Sequence, residues 1–428
     1  MIHSLLCRLS RQSRRSLLFV LLIAAGADVA VAAPKTIAVW SGSTDQRGLL
    51  KAATLAFNSA QQAYKAELFA ANYQNYADWV QSVAVSGTLP CLLEVDGPFV
   101  AGFAWRGYLQ PLDKFVSPEM RSDLLPSILA QGTYDGHLYS LAQRDSGLGL
   151  WANRRYLLAA SVRIPTVAQP WTLAEFEQAM DKLARVDGVD YPLDLAVYTG
   201  ASEFFAYAYL PILAGFGGDF IDRTSYPKAG GVLDGPQSVA AMTRLQGWFR
   251  QGWARAVDRI DDFEKGKTAL AWTGHWRYTP FRAALGDDLL LLPLPDFGHG
   301  LKTGIGSWGW SITSTCPEPA GAWAFLSYLM SADEVLRISD AIGAVPARKS
   351  VLARSKLTSN HGALKVFAQQ LFMGHGFPRP ATPGYGTISK AFATAAGAII
   401  AGADVQTELT RAARTIDEDI AANHGYPK

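Results

Sequence analysis

Two periods of apolar residues alternate along this chain. Residues 36–40 (TIAVW) are a β-branched run that stops at Ser41-Gly42-Ser43, which predicts a strand followed by a polar turn. Residues 48–58 (GLLKAATLAFN) carry apolar side chains at helical spacing, so the opening unit is strand, loop, helix. Residues 92–95 and 148–151 predict two more short strands, the first running into Asp96-Gly97-Pro98 and the second following Asp145-Ser146-Gly147. Thr172, with Glu175 at capping-box spacing, predicts the start of a helix over 173–184. Further strands are expected at 268–272, stopped by Thr273-Gly274, at 289–292 and at 311–313. Helices are expected at 320–329, 388–400 and 408–420. Strands alternating with helices argue an α/β architecture of sheets covered by helices. At 428 residues the chain is long enough for more than one domain, yet it has no low-complexity linker. The chain is therefore expected to cross between its lobes more than once.

The N-terminus follows a different logic. Residues 1–15 are basic, residues 16–26 (SLLFVLLIAAG) are apolar, and Ala30-Val31-Ala32 are small, the order of a secretory signal peptide. The apolar run is about half the ~20 residues of a membrane span, so residues 1–32 are read as a cleaved signal and stable membrane insertion is not expected. No Cys stands at the cleavage point to carry a lipid. This segment also corrects the charge. The whole chain is +2, but four arginines against Asp28 put +3 in the first 33 residues, leaving −1 for the rest. Such a body has no electrostatic case for nucleic acid. Of three cysteines, Cys7 leaves with the signal, and Cys91 and Cys316 remain as a bonded pair or as two buried thiols.

Candidate chemistry is sparse where enzymes show it. The seven histidines form no metal-binding motif, and there is no nucleophile elbow, P-loop or dinucleotide fingerprint. Gly215-Phe216-Gly217-Gly218 reads as a turn. No cofactor and no metal are expected. Twelve tryptophans stand out instead, several at strand ends: Trp40, Trp272, Trp276, Trp308 and Trp310. Loops at strand ends hold ligands in α/β folds. Aromatic faces beside hydroxyls and carboxylates suit a sugar, whose C–H faces stack while its hydroxyls need paired donors and acceptors. Ser43, Asp45, Asp96, Asp145, Glu203 and Arg379 supply such polar groups. Each of these residues has an equally weighted plain role in core packing, loop capping or surface ion pairs.

The pattern as a whole resembles the family 1 extracellular solute-binding proteins, the maltose-binding-protein-like receptors of ABC importers. TIAVWSGSTDQRG is similar to the family's first strand and ligand loop, and SVAVSGTLPCLLEVDGPFVAGFAWRGYLQPLDKF to its next loop-bearing stretch. FEKGKTALAWTGHW resembles the family's "F-GKaAM-i-GsW", whose final aromatic, here Trp276, stacks on sugar. GAVPARKS and ATPGYGTISKAF resemble its closing elements. Two departures are Cys91 for the usual Asp after Pro and Trp272 for a smaller residue. The resemblance implies a two-lobed type II binding-protein fold. Residues 33–146 plus 311–350 would form the N-terminal lobe, 147–310 plus 351–428 the C-terminal lobe, with crossings near 146–150, 307–311 and 347–351.

It further implies a monomeric periplasmic receptor, not an enzyme, that binds a sugar or oligosaccharide between the lobes and delivers it to the permease subunits. Trp276 would be the main stacking platform, with Trp40, Trp272, Ser307 and Trp308 beside the polar set above. Cys91 and Cys316, near neighbouring strand ends of the first lobe, would be bonded. Two alternatives stand: a secreted glycosidase, which would need a convergent carboxyl pair, and the same receptor fold carrying a polyol or glycerol-phosphate derivative, for which Arg144, Lys302 and Arg379 are candidate anion partners.

Overall fold

The computed structural model describes residues 33–42, 46–71 and 76–427; the signal segment, Ser43 and Asp45 lie outside the described residues. Two four-stranded sheets organise the chain. In the first, the strands run in the order Trp308–Ile312, Leu92–Asp96, Lys35–Ser41, Tyr64–Ala70. Lys35–Ser41 lies parallel to both neighbours, and Trp308–Ile312 runs antiparallel to Leu92–Asp96 with Trp308 opposite Asp96 and Ile312 opposite Leu92. The second sheet has the order Leu289–Leu292, Leu148–Asn153, Leu270–Gly274, Leu193–Asp194. All five residues of Leu92–Asp96 and all six of Leu148–Asn153 are buried, as in strands covered on both faces.

The predicted elements form with shifts of a few residues. The capping box at Thr172 and Glu175 starts Leu173–Leu183 as expected, each side chain meeting the other's backbone N–H. The strand expected at 268–272 begins and ends two residues later, at Leu270–Gly274. Trp308–Ile312 starts three residues ahead of 311–313, so the expected lobe boundary at 310/311 falls inside a strand of the first sheet. The passage between sheets precedes it, where Gly147 bridges Ile305 and Thr303–Ile305 pairs with Gly376–Pro378.

Glu203–Gly215 (EFFAYAYLPILAG) is apolar on every side and accordingly buried on every side from Phe205 onward. The C-terminal helix Tyr385–Ile400 packs against it, Val405–Ala422 packs on Tyr385–Ile400, and all three share one core. Its buried body anchors the first turn, so Glu203, Phe204 and Tyr207 are presented on one side at i, i+1 and i+4. Cys91 and Cys316 are bonded, with Cα atoms 4.3 Å apart, at the ends of the paired strands remote from Asp96 and Trp308. Among the described residues no helix is long and apolar enough to cross a membrane.

Candidate functional site

A cavity of about 570 Å³ opens where the two sheets' strand ends meet. From the first sheet and the segments beside it come Gly42, Asp96, Arg144, Ser146, Gly306 and Trp308. From the second come Tyr198, Glu203, Phe204, Tyr207, His275, Trp276 and Arg277, and Arg379 enters after Gly376–Pro378. The volume is in the range of small-molecule sites.

Arg379 is the electrostatic centre. It makes a bidentate pair with Asp96, Nη1 to Oδ2 at 2.7 Å and Nη2 to Oδ1 at 2.8 Å, and Nη1 also donates to Glu203 Oε1 at 2.5 Å. The Arg379 and Asp96 side chains are 5% and 8% exposed, so this is a buried pair whose attraction is little screened. Glu203 accepts from the hydroxyls of Tyr385 and Ser389 as well. Burial pushes the Glu203 carboxyl up, against the opposing pull of the Arg379 guanidinium. The guanidinium lies 4.8 Å from the centre of the Tyr207 ring, a cation–π contact. Asp96 stands at the end of a first-sheet strand and Glu203 opens the helix Glu203–Gly215, so one cation ties the two sides of the cavity together.

The second-sheet side is aromatic. Trp276 follows the end of Leu270–Gly274 in a single 3₁₀ turn, and its ring lies directly over Gly274. A Cβ built on Gly274 would sit 2.1 Å from the Trp276 ring, so only glycine lets the ring lie there. Tyr207 and Phe204 flank it with ring centres 6.1 and 6.4 Å away. On the other side Trp308 packs on Tyr76 at 5.6 Å and covers Gly42, where a Cβ would meet both rings below 3 Å.

Fixed polar groups complete the lining. His275 Nδ1 lies 2.9 Å from the Ile342 carbonyl, which can only accept, so in the neutral imidazole Nε2 is left to accept from Ser146 Oγ at 3.1 Å. Arg144 Nη1 donates to Gln46 Oε1 at 2.7 Å, and Gln46 Nε2 donates to Glu94 Oε1 at 2.6 Å. Arg277 pairs with Glu264 and donates to the Ile260 carbonyl at 2.7 Å. Burial pushes the Tyr207 phenol up and raises Tyr198 to about 12, so both hydroxyls stay protonated near neutrality.

Of the expected site residues, Asp96, Glu203, Trp276, Trp308 and Arg379 line the cavity together. Four others do not. Trp272 is 1% exposed, stacked on Phe297 and donating to the Ala208 carbonyl at 3.0 Å; it points into the core because it lies within the strand, whereas Trp276 lies beyond it. Trp40 packs on Trp79 at 4.7 Å and Phe69 at 6.1 Å, since its strand continues to Ser41. Asp145 is fully buried beside Gln131 and accepts the Ser146 N–H at 2.8 Å, and burial pushes its carboxyl up. Ser307 is 3% exposed, its N–H bonded to Gln131 Oε1 and its carbonyl to the Gly97 N–H. Sequence reasoning missed Tyr207, although it stands one helical turn after Glu203. It also missed Ser146, His275 and Arg277, each adjacent to a residue it named, and Tyr198, which had no signal at all.

The family described as bacterial extracellular solute-binding protein matches residues 52–365. The chain is 21% identical over 314 residues to the maltotriose-binding protein of Pyrococcus abyssi, covering 68% of this chain and 61% of that protein. The structure superposes on the GacH receptor of Streptomyces glaucescens, solved unliganded and with acarbose, at a TM-score of 0.77 with 21% identity, covering 92% of this chain and 98% of that one. It superposes equally well on UgpB of Mycobacterium tuberculosis, solved with glycerophosphocholine, at 0.78 with 19% identity and coverage of 91% and 99%. With two sheets, a cavity between their strand ends and a family match over most of its length, this chain belongs to the bacterial extracellular solute-binding proteins.

Proposed function

We propose that the protein is a periplasmic receptor of an ABC importer that binds a neutral sugar or oligosaccharide in this cavity and delivers it to the permease. The observation that carries the reading is the Trp276 ring laid over Gly274 in the same cavity as the Asp96–Arg379–Glu203 group. The first offers a flat face for sugar C–H groups, the second a rigid set of acceptors and donors for hydroxyls. A ligand touching both sides favours the closed arrangement of the lobes by its differential affinity. On this reading residues 1–32 are the export signal, the mature protein works as a monomer without a cofactor, and the lobes divide as expected except that the 310/311 boundary moves ahead of Trp308.

The similarity to UgpB favours examining a glycerol-phosphate ligand as a second reading. Against it, the cavity arginines already have partners: Arg379 holds Asp96 and Glu203, Arg277 holds Glu264, and Arg144 holds Gln46. A phosphate would have to displace a carboxylate to reach the Arg379 guanidinium. A glycosidase needs two carboxyls separated across the scissile bond, whereas Asp96 and Glu203 converge on one guanidinium.

A thermal-shift panel of mono- and disaccharides with glycerol 3-phosphate and glycerophosphocholine tests these readings. A ligand at 100 times its Kd adds about 2.7 kcal/mol of stability. A shift with a neutral saccharide and unchanged sugar on chromatography is the expected result. A shift with the phosphates alone, or appearance of hydrolysis products, overturns it.

A further inference from the structure

The antiparallel ladder between Leu148–Asn153 and Leu270–Gly274 ends with Leu148 opposite Gly274, so Ser146 and His275, just beyond it, meet at the cavity. The strand end is pinned there, since the Trp151 indole N–H donates to the Gly274 carbonyl at 3.2 Å. Across from it Ile342 closes the helix Ala332–Ile342, and Gly343 follows in the left-handed region with φ 75°. The last four carbonyls of a helix have no partner within it, and Ile342 is buried, so its carbonyl needs a donor from elsewhere. His275 Nδ1, 2.9 Å away, is that donor and must carry a proton to serve. In a ring with one proton Nε2 is a bare acceptor, and Ser146 Oγ at 3.1 Å can bond it only by donating. A serine hydroxyl has one proton and two lone pairs, so what Ser146 has left is acceptor capacity.

We propose that His275 is held neutral with its proton on Nδ1, that this fixes Ser146 Oγ as an acceptor, and that Ser146 takes a hydroxyl proton of the bound sugar beside the Trp276 platform. The sugar contact rests on the receptor reading above; the assignment of the ring does not. His275 is then a positioning residue, and Ser146 is the residue that touches the ligand. His275 is 2% exposed. The Ile342 carbonyl and the Ser146 hydroxyl are both uncharged, and taking a charged ring out of water costs more than taking a neutral one. The His275 and Trp276 rings meet edge to face at 5.4 Å, which sets the acceptor at the side of the platform.

Ser146 differs in this from the carboxyls of the cavity. Both oxygens of Asp96 accept from Arg379, and those of Glu203 accept from Arg379, Tyr385 and Ser389. The Ser146 backbone is fixed as well, its N–H donated to Asp145 Oδ1 at 2.8 Å, and Asp145 is paired with Val345. The hydroxyl is thus aimed before a ligand arrives. A group that meets it must bring a proton. A sugar hydroxyl does so, whereas an ionised phosphate or carboxylate oxygen sets lone pair against lone pair.

Nitrogen-15 NMR of the sugar-free full chain, labelled at histidine, reads the ring directly. Near neutral pH one ring is expected to show a protonated Nδ1 and a bare Nε2. Ser146→Ala, which removes the donor to Nε2, is expected to shift that Nε2 resonance and leave the Nδ1 proton in place, and this response identifies His275. A responding ring with its proton on Nε2, or with protons on both nitrogens, overturns the proposal, as does a spectrum in which no bare Nε2 moves. Calorimetry with maltose, a disaccharide of the thermal-shift panel, and its monodeoxy analogues reads the sugar contact. Ser146→Ala is expected to weaken maltose about tenfold. One monodeoxy maltose is expected to bind the wild type about tenfold more weakly than maltose does, yet to bind wild type and variant alike. A variant that binds maltose as the wild type does, or that loses the same factor for every analogue, overturns the acceptor role. Should maltose not bind the wild type, the saccharide that shifts the melting temperature takes its place in the same comparison. A wild type that binds no saccharide overturns the receptor reading, while the spectrum still decides the ring, so the two failures stay apart.

Discussion

The two sides of the cavity are built by opposite means. The first-sheet side is held by ions and hydrogen bonds: Asp96 on Arg379, and Arg144 through Gln46 to Glu94. The second-sheet side is held by contact between rings, Trp276 against Tyr207 and Phe204 above a glycine. Charged networks are costly to break because a partner left buried has no water to turn to. An aromatic platform that is itself part of a binding surface can be removed with little cost to the fold and a large cost to binding. The polar side should therefore govern stability and the aromatic side affinity.

Asp96→Ala is the strongest way to break that division. It leaves Arg379 buried with Glu203 as its only carboxylate and should destabilise the protein by about 3–5 kcal/mol in urea unfolding. Unfolding at the wild-type midpoint would show that the pair does not hold the cavity. Trp276→Ala should move the other quantity. Binding of the saccharide chosen by the thermal-shift panel should weaken by about 2 kcal/mol or more in calorimetry, while the unfolding midpoint changes little. A variant that binds normally would remove Trp276 as the platform. The smallest effect is expected at Glu203, where the two sides meet. Its carboxyl is pushed up by burial, so its contribution to stability is present at acid pH and lost as pH rises through the raised value. Glu203→Gln should match the wild type in acid and gain a small margin of stability on it toward neutrality. A variant that instead loses stability as pH rises would mean that the Arg379 attraction outweighs burial.

What was legible from the sequence separates along the same line as Trp272 and Trp276. Strands, helices and the Thr172 cap were readable because period and capping chemistry are local. Both tryptophans flank Thr273-Gly274, and the pattern alone assigned both to the ligand. The strand runs two residues further than its apolar residues suggest, because pairing of Thr273 and Gly274 with Gly149 and Leu148 extends it. That places Trp272 inside the sheet and leaves Trp276 outside. Asp96 and Asp145 differ for a similar reason. Both adjoin short strands, but Asp145 pairs with Val345, a partner 200 residues away that no local signal announces. The 3₁₀ turn Val197–Thr199, which brings Tyr198 to the cavity, is anchored just as remotely, since Asp258 lies 61 and 60 residues beyond the Val197 and Tyr198 N–H groups that it accepts.

The Cys91–Cys316 bond gives the covalent graph of the protein an unusual form. The two cysteines are 225 residues apart in sequence, and every strand of the second sheet lies between them. In covalent terms the protein is a large ring with two tails. The ring contains the entire second sheet, and the tails carry the opening strands of the first sheet and the C-terminal helices. In the chain-entropy account, closing a ring of this size disfavours the unfolded ensemble by about 5 kcal/mol. A protease that nicks once within the ring leaves a single covalent molecule, whereas a cut in either tail releases a fragment.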